Sequence, residues 1–543
     1  MDNTIERITI VGGGTAGWLT AMTLNQFLNR LSERPPIKVT VIESPKVPTV
    51  GVGEATVPGM ARLLQHLDID EAEFFRRCNA SFKLGVRFEN WALDGSGGPI
   101  DYIHPFNYPL SLAGFPPAHH FNKFGPHAGC ETLAECMVPN TSVIESCKGP
   151  RRIGGKNYEN EIGYAYHLDA GLFGQYLKEV AISRGVRHIV DDVEEVVLDD
   201  RGFVGELRLE RGGNFPVEFI VDCTGFKGLI LQQTLGEQFQ PFSDHLLCDR
   251  AIPVQIPHRD VRRLPPCTRS SALGAGWVWR VPLFSRIGTG YVFSSAFRSD
   301  DEARAEFFQH IRAIGDLGPD DPDPDTRVIH MKIGRTRRSW VKNCVAIGLA
   351  GGFIEPLEST AIYMIEMGAR WLVGHLPDRQ VNPAFAQRYN KLMESLHDEV
   401  RDFIVSHYYT SNRPEPFWHA SRSDIVVPDS LQENLDLWRH ALPSSTDTSG
   451  CRLFNYWNYT YTLLPKGYFE GRHFPLEGAT SRSHWDRFGA RLAQTKAEML
   501  PVLPNHYDLL THIREGASAP AAKAGPPPEF VRRATAQPTV PLP

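Results

Sequence analysis

The N-terminal pattern of apolar and polar residues predicts a strand, a glycine-rich turn, a helix and a second strand. Residues 5–11 have the apolar-rich sequence IERITIV, and residues 12–17 are GGGTAG. Residues 18–31, WLTAMTLNQFLNRL, place apolar side chains three and four apart, which is the spacing of a helix. Residues 37–43, IKVTVIE, predict the second strand. This order is typical of an α/β dinucleotide-binding unit.

Three glycines of the turn each have a separate task in binding a pyrophosphate. Gly12 allows a tight turn, Gly14 lets the backbone approach the ligand, and Gly17 lets the helix lie close to the strand. The helix N-terminus presents free N–H groups to the anion. Glu43 ends the second strand, 26 residues after Gly17, and its carboxylate is placed to accept hydrogen bonds from a ribose diol. A purely structural glycine-rich turn is the alternative.

Two later strand-to-glycine segments indicate which dinucleotide binds. Residues 185–222 alternate strand and turn and lead into Asp222-Cys223-Thr224-Gly225, and residues 343–352, NCVAIGLAGG, form another strand that enters a glycine-rich turn. FAD-binding lobes of the hydroxylase type are laid out in this way, and we find no second complete GxGxxG for a nicotinamide cofactor. We therefore expect an α/β fold in which a Rossmann-like FAD-binding lobe of the flavin monooxygenase type carries an antiparallel sheet and a mostly helical substrate-side lobe.

The C-terminal third is predicted to be helical. Residues 384–410 and 481–515 have helical spacing. The predicted organisation is an FAD-binding lobe with inserted substrate-facing segments at 1–370, a helical cap lobe at 371–515 and a Pro- and Ala-rich, disordered tail at 516–543.

Composition narrows the functional classes without choosing one. The 543 residues are 42% hydrophobic and 22% charged with a net charge of −6, which fits a soluble globular protein and gives no reason to expect a nucleic-acid or membrane partner. No apolar run approaches the ~20 residues of a membrane span. The nine cysteines are scattered and form no CxxC pair, so we expect reduced thiols, a cytoplasmic location and no metal site.

Residues 81–91, SFKLGVRFENW, alternate as one strand, with Phe82 on the apolar face and Lys83 on the other. Taken alone, the alternation favours a solvent-facing Lys83. In residues 276–282, GWVWRVP, Trp277 and Trp279 share a strand face. Such a face either packs a core or forms an aromatic wall that shields a reactive flavin product from solvent.

Residues 353–360, FIEPLEST, place Glu355 and Glu358 around a proline turn. They are either exposed loop carboxylates or part of a site. The following residues have helical spacing, and we expect Ser359 or Thr360 to cap this helix. Its N-terminal amides could then hold a small anion such as a halide beside a carboxylate.

Together these stretches resemble the flavin-dependent halogenases of the tryptophan type. That family has an N-terminal GxGxxG, a WxWxIP stretch (here 277–282, with Val281 in place of Ile and ending in Pro282), an FKxG-like strand (here 82–85) and an EPLEST turn (here 355–360). The motifs occur in the family's order between residue 5 and about residue 465.

The resemblance implies a mechanism. A separate flavin reductase supplies reduced FAD, which reacts with O2, and a bound chloride or bromide is converted to hypohalous acid. The acid crosses a tunnel to an electron-rich, indole-like arene. At the far end Lys83 hydrogen-bonds the oxidant or forms a haloamine, and Glu358 polarises the oxidant or accepts the arenium proton. Ser359 orients the glutamate.

The remaining site residues are also implied by the resemblance. The halide is bound by the amides of Thr360 and Ala361. His104 and Phe106 stack on the arene, although a satisfied loop histidine is the alternative for His104, and Tyr459 and Tyr461 complete the substrate side. The cofactor residues are Gly12, Gly14, Thr15, Ala16, Gly17, Glu43, Val50, Gly51, Val193 and Leu349. Acceptance of free tryptophan is left open, and a homodimer is compatible with the resemblance.

Two other functions fit parts of the pattern. A flavin-dependent aromatic hydroxylase, a monooxygenase, would deliver OH instead of halogen, but the paired tryptophans and Lys83 argue against it. A flavin-binding protein without catalysis would not need both Lys83 and Glu358.

Overall fold

The structure is a computed structural model that describes residues 4–31, 36–47, 53–109, 112, 114 and 116–516. The predicted cofactor residues Val50 and Gly51, and all but the first residue of the predicted tail, lie outside these ranges. None of the helices within them is long and apolar enough to cross a membrane.

The strands of the described residues lie in the first two thirds of the chain. The strands are β1 (Arg7–Val11), β2 (Lys38–Glu43), β3 (Gly53–Ala55), β4 (Ser81–Lys83), β5 (Gly85–Leu93), β6 (Pro99–Pro105), β7 (Ala165–Asp169), β8 (Arg187–Val190), β9 (Val193–Leu198), β10 (Val204–Leu209), β11 (Gly213–Pro216), β12 (Phe219–Asp222), β13 (Phe239–Pro241), β14 (Arg250–Pro257), β15 (Thr268–Leu273), β16 (Gly276–Pro282), β17 (Arg286–Phe293), β18 (Ile329–His330), β19 (Gly334–Thr336), β20 (Trp340–Val341), β21 (Cys344–Ala346) and β22 (Gly352–Phe353).

The α-helices are α1 (Thr15–Asn25), α2 (Gly59–His66), α3 (Glu71–Arg77), α4 (Ala118–Phe124), α5 (Leu133–Met137), α6 (Asn140–Glu145), α7 (Ala170–Ser183), α8 (Asp300–Ala313), α9 (Ala361–Gly374), α10 (Pro383–Tyr409), α11 (Pro416–Ser423), α12 (Asp429–Leu437), α13 (Tyr456–Leu463), α14 (Arg482–Met499) and α15 (His506–Glu515). Short 3-10 helices cover Gly225–Lys227, Gly348–Ala350, Pro356–Glu358, Pro475–Ala479 and Leu500–Val502, and π-helical turns cover Gln26–Arg30 and Leu229–Thr234.

The nucleotide-binding half is a six-stranded sheet in the order β20-β21-β12-β1-β2-β8. β1 pairs in parallel with both β2 and β12, while β20 at the edge runs antiparallel to β21. The predicted strand, turn, helix and strand are therefore confirmed. The predicted antiparallel excursion corresponds to the three-stranded sheet β11-β10-β9, which lies between β8 and β12 in the chain.

A second, seven-stranded sheet has the order β18-β14-β17-β16-β15-β5-β6 and is antiparallel except where β15 meets β5. It carries the tryptophans of β16. A small sheet, β3-β7-β4, contains the strand of Lys83. The expectation of an α/β fold with a Rossmann-like lobe and an antiparallel sheet is confirmed.

The strand predicted over 81–91 is two strands. β4 pairs with β7, whereas β5 pairs with β6 and β15, so the chain changes sheet at Leu84. The Leu84 N–H is bonded to the Pro266 carbonyl and its own carbonyl accepts from Phe106 N–H. A single alternating strand with Lys83 facing solvent is therefore wrong, because Lys83 ends a strand that is covered on both sides and has no exposed surface.

The C-terminal part is helical, as expected, but 481–515 is not one helix. α14 and α15 are separated at residues 500–505, which contain Pro501 and Pro504, and proline cannot continue the helical hydrogen bonding. The division into lobes at residue 370 stays a prediction, since one hydrophobic core cluster extends from Ile5 to Ile513.

Candidate functional site

A cavity of about 540 Å³ opens at the carboxyl ends of β1 and β2. Parallel α/β sheets bind nucleotides at this edge. The predicted residues that line it are Gly12, Gly14, Thr15, Ala16, Glu43, Val193, Leu349, Trp277, Trp279, Ser359 and Ala361. We call this cavity the cleft.

The glycines of the turn fit a pyrophosphate in the cleft. Gly12 has φ +119°, and a Cβ there would lie 2.2 Å from the Cys223 carbonyl oxygen. A Cβ on Gly17 would lie 1.9 Å from the Gly12 carbonyl oxygen, so the helix packs on the turn as predicted. Gly14 faces open space instead. A flavin dinucleotide placed with its phosphates against Gly14 would meet the N-terminus of α1.

Glu43 lies on the wall of the cleft, at the end of β2, as predicted. Its Oε2 atom is 2.8 Å from Lys178 Nζ and 2.7 Å from His188 Nε2. These two contacts fix the carboxylate group at the position expected for a ribose contact.

Trp277 and Trp279 lie on β16 with ring centroids 6.4 Å apart. Trp277 is buried, and both rings line the cleft. Across the sheet Trp277 is paired with Val292 of β17. The two rings therefore form one aromatic wall of the cleft, and Pro282 ends the strand.

Lys83 lies at the end of β4 in a closed environment. Its Nζ donates to Ser359 Oγ at 2.8 Å and to the Thr56 carbonyl oxygen at 3.1 Å, and it lies 5.0 Å from the centre of the Phe106 ring. Burial lowers the pKa of Lys83 to about 8, partly offset by the nearby Glu358. The ammonium form is still favoured at neutral pH, but the proton is much easier to remove than from an exposed lysine.

Glu358 ends the 3-10 turn and is 2% exposed. His104 Nδ1 lies 3.0 Å from each carboxylate oxygen, and His407 Nε2 lies 3.0 Å from Oε1. Burial acts to raise the pKa of Glu358, but its polar contacts with His104 and His407 outweigh burial and hold it well below 4.5. Glu358 is therefore held as an ionised carboxylate that is almost completely removed from solvent.

The turn between Glu358 and α9 differs in one respect from expectation. Ser359 has φ +62°, and its hydroxyl oxygen accepts the hydrogen bond of Lys83. Thr360 is the N-cap residue of α9 but makes no side-chain cap hydrogen bond. The prediction that the side chain of Ser359 or Thr360 caps α9 is therefore wrong. Thr360 is buried, and Ala361 begins α9 at the wall of the cleft.

Glu355, at the other end of the proline turn, is fully buried among different groups. Trp277 Nε1 donates to Oε2 at 3.5 Å, and Tyr408 and Cys248 lie beside it. Within the described residues Oε1 has no hydrogen-bond partner. Burial raises the pKa of Glu355 to about 7. The exposed-loop alternative is therefore wrong for both glutamates.

The predicted substrate residues separate into two groups. His104 and Phe106 lie beside Glu358 and Lys83 respectively. The Tyr461 ring lies 6.5 Å from the His104 ring, and its buried hydroxyl has no partner among the residues described. Tyr459 instead packs between Phe403 and Trp438, with centroids at 5.0 and 4.9 Å. Tyr461 thus lies next to His104, whereas Tyr459 lies between Phe403 and Trp438.

Three buried residues near Glu358 were missed. His407 lies on α10 with its Nδ1 3.1 Å from Tyr102 OH, and burial lowers its pKa to about 4. Asn458 of α13 lies against His104. Lys466 donates to the His407 carbonyl oxygen at 3.0 Å, and burial lowers its pKa to about 7.

The sequence held one signal for His407: it follows Phe403 by four residues, on the apolar face of a long helix. Nothing local marks Asn458 or Lys466.

The arrangement holds a buried ammonium and a buried carboxylate within electrostatic range of each other. Ser359 binds Lys83 and also lines the cleft, so this residue connects the surroundings of Lys83 to the cleft. Thr56, which follows β3, supplies the second acceptor, and β3 itself lines the cleft. Among the described side chains no group of His, Cys, Asp or Glu is arranged to hold a metal ion.

A family model described as tryptophan halogenase matches residues 7–482. The chain is 37% identical to the tryptophan 6-halogenase ThaL of Streptomyces albogriseolus, over 82% of this chain and 83% of that protein. It is 36% identical to the tryptophan 7-halogenase RebH of Lentzea aerocolonigenes, over 84% and 86%. The crystal structure of a tryptophan halogenase from Shewanella frigidimarina superposes with a TM-score of 0.87 at 33% identity, covering 94% of this chain and 98% of the other.

Proposed function

Because the chain belongs to the tryptophan halogenase family, and is thus a flavin-dependent halogenase, we propose that it halogenates an indole-like arene in the chamber formed by Lys83 and Glu358. The family uses FADH2 from a separate flavin reductase, O2, and chloride or bromide. When bound in the cleft, the reduced flavin would supply the two electrons that bring O2 to the peroxide level, and oxygen at that level would oxidise the halide to hypohalous acid.

One observation carries the proposal: Lys83 and Glu358 are both buried, they interact electrostatically, and both adjoin Ser359 at the wall of the cleft. Ser359 connects the surroundings of Lys83 to the cleft, because its hydroxyl oxygen binds Lys83 and its surface lines the cleft. Hypohalous acid made in the cleft would need to pass this residue to reach Lys83. A passage along Ser359 and the β3 segment is therefore part of the proposal.

Lys83 holds the oxidant and Glu358 removes the proton. The ammonium of Lys83 donates a hydrogen bond to the oxygen of hypohalous acid, which makes the halogen more electrophilic. As the halogen adds to the ring carbon, the O–halogen bond of the hypohalous acid breaks and the OH leaves as hydroxide. The arenium carbon then loses its proton to the Glu358 carboxylate, the C–H electron pair restores aromaticity, and the proton on Glu358 finally neutralises the hydroxide to water. The residues of the first turn of α9, Thr360 and Ala361, are proposed to bind the halide through their amides.

The substrate is proposed to lie between Phe106, His104 and Tyr461. Lys83 Nζ lies over the face of the Phe106 ring, and His104 lies beside Glu358. The Tyr461 hydroxyl, which has no partner among the described residues, offers one hydrogen bond. Tyr459 is proposed to support this wall from behind.

We further propose that the enzyme is cytoplasmic, which its nine free cysteines support. We also propose that it forms a homodimer and that it acts on neither nucleic acid nor membranes.

The test is mass spectrometry of products from the full chain with a flavin reductase, O2 and a panel of indole, tryptophan and phenol in chloride and in bromide. We expect a product in which one halogen replaces hydrogen, with the halogen changing with the salt. If indole is halogenated and tryptophan is not, the substrate is a bare indole-like arene. The reverse result would show that the enzyme accepts free tryptophan. A hydroxylated product in both salts would show an aromatic hydroxylase, and hydrogen peroxide without any product would refute the halogenase.

A further inference from the structure

Asn458 connects the first turn of α13 to the ring of His104. The residue is 4% exposed. Its Oδ1 accepts the backbone N–H of Asn455 at 2.6 Å, as the second half of a capping box in which Asn455 is the N-cap. Its Nδ2 lies 2.7 Å from His104 Nε2. One side chain thus starts a helix and contacts the proposed active site.

These contacts fix the orientation of the amide. If the amide were turned over, its NH2 group would face the Asn455 N–H, and two donors would meet at 2.6 Å. The oxygen therefore faces Asn455 and the NH2 group faces His104. Since an NH2 group can only donate, His104 Nε2 must accept, and the ring proton is carried by Nδ1.

We propose that Asn458 is a positioning residue that keeps His104 in the neutral Nδ1–H tautomer, so that the ring donates to Glu358 and cannot take a proton from it. The Nδ1 atom lies 3.0 Å from both oxygens of Glu358, which a single N–H can share. The remaining ring nitrogen is occupied by the amide of Asn458.

This role rests on the proposed function and adds to it. When Glu358 takes the proton of the arenium carbon, His104 has no free lone pair to receive it. The proton stays on the carboxyl group of Glu358, and the C–H electron pair returns to the ring. His104 holds the carboxylate in place, and Glu358 is the base.

The other groups that face this pair do not supply an alternative tautomer. On the Glu358 side these are Lys83, His407 and Tyr102, and Tyr102 OH faces His407 Nδ1. On the His104 side they are Tyr461, Tyr108 and the apolar Phe403. Lys466 lies behind His407. No second carboxylate is found beside His104 in the described parts of the chain, so no anionic acceptor competes for its Nε2.

The variant that tests the proposal is Asn458→Asp. An aspartate has nearly the same shape, and its carboxylate can still accept the Asn455 N–H, so α13 should start normally. Its second oxygen, however, presents an acceptor to Nε2. His104 then lies between two carboxylates and binds a proton on both nitrogens, which weakens Glu358 as a base.

The matched control is Asn455→Asp, which adds the same charge to the same helix N-terminus without touching His104. Both variants are first checked for folding by thermal unfolding. Halogenation is then measured from pH 6 to pH 9 with saturating reductase, so that the ratio of each variant to the wild-type enzyme reports only on the halogenase.

We expect kcat of Asn458→Asp to be lower by about tenfold at pH 6 and to approach the wild-type value towards pH 9, as the extra proton is lost. KM for the arene should change by less than about threefold, and Asn455→Asp should keep the wild-type pH profile. A loss that is the same at every pH, or no loss at all, would contradict the proposal, because a merely structural role gives no new titration.

The tautomer is also observable without turnover. Nitrogen-15 spectra of the histidine-labelled wild-type protein, with His104 assigned by its absence in His104→Gln, should show a protonated Nδ1 and an unprotonated Nε2. A protonated Nε2 in the wild-type protein would overturn the inference even if halogenation is observed. The same spectrum decides the question if the aspartate variant does not fold or if no halogenated product is formed.

Discussion

Glu355 and Glu358 flank the same proline turn, and both are buried, yet their environments favour opposite charge states. Glu355 faces Trp277, Tyr408 and Cys248, one of its oxygens has no partner among the described residues, and burial raises its pKa to about 7. Glu358 faces two histidines and Lys83, and its pKa is held below 4.5. Removal from water alone favours the neutral acid, whereas polar contacts with ring nitrogens favour the carboxylate.

This difference assigns different tasks to the two residues. An ionised carboxylate can accept a proton and attract an ammonium, as the proposed chemistry requires of Glu358. A carboxyl group with a pKa of about 7 is largely protonated only below neutral pH, and in that form it holds its neighbours by hydrogen bonds alone. The comparison can therefore be tested by changing either glutamate or the groups around it.

The largest expected effect is on the Glu358 side, from Lys83→Ala. Removing the ammonium should lower halogenation by about 100- to 1,000-fold, because it takes away the donor aimed at the oxidant. Binding of FAD and consumption of O2 should stay within about twofold, since Lys83 does not line the cleft. Product yield is measured by mass spectrometry and O2 uptake by electrode.

Lys466→Met is the matched control for that experiment. Lys466 is a second buried lysine whose Nζ bonds the His407 carbonyl oxygen and Thr410 near the end of α10. The Lys466→Met change should lower the unfolding temperature but leave the halogenation rate within about threefold of wild type, because the hydrogen bonds of Lys466 are to the end of a helix.

A normal product yield from Lys83→Ala would contradict the role proposed for Lys83.

Changing each glutamate to glutamine separates the two environments directly. Glu358→Gln should lower kcat by about 100-fold with little change in substrate affinity, because the base is lost and the shape is kept. Glu355→Gln should change kcat by less than about threefold at pH 6, since the wild-type side chain is mostly protonated there. An equal loss of kcat in both variants would contradict the assignment of different roles to Glu355 and Glu358.

A smaller effect is expected at Ser359, which joins Lys83 to the cleft. Ser359→Ala removes one acceptor from a buried ammonium and should lower kcat by roughly tenfold, the equivalent of ~1.5 kcal/mol. Ser359→Gly is the control for the backbone, because φ is +62° and glycine adopts this region without strain. Both variants should lose the same activity, and the glycine variant should unfold at the higher temperature. A fully active Ser359→Ala enzyme would show that Lys83 needs only Thr56.

The smallest expected effect is on the free energy of unfolding. Its dependence on pH has opposite signs for Glu355 and Glu358. Because the folded pKa of Glu355 is raised from 4.5 to about 7, its contribution is fully present below pH 4.5 and is lost as the pH rises towards 7. Glu355→Gln should therefore match the wild-type unfolding free energy at pH 5 and exceed it by about 1–3 kcal/mol at pH 8.

The pKa of Glu358 is lowered, so its contribution is present above pH 4.5 and is lost at lower pH. Glu358→Gln should be less stable than the wild-type protein at pH 8. Chemical denaturation at the two pH values measures both differences. A Glu355→Gln variant that is destabilised at pH 8 would show that the buried carboxylate is stabilised by contacts that glutamine cannot replace.

Much of the nucleotide-binding half could be predicted because its signals are local. The glycines after β1 and the acidic end of β2 are each required by backbone geometry or by one ligand group, and they recur at fixed spacings. The alternation around Lys83 misled for a physical reason: period two shows which side chains share a face but not whether a second layer covers the other face. The change of sheet at Leu84 depends on pairing with β7, more than 80 residues later in the chain.

The sequence by itself determined the strand-turn-helix order, the paired tryptophans and the presence of a lysine, a serine and two glutamates in short motifs. Only the tertiary structure decided their protonation and their partners. His104, His407 and Asn458 come from β6, α10 and α13, and they meet at Glu358 because three separate elements pack there. Charge states in a buried site depend on distances of about 3 Å between groups far apart in the chain, and no local pattern encodes such distances.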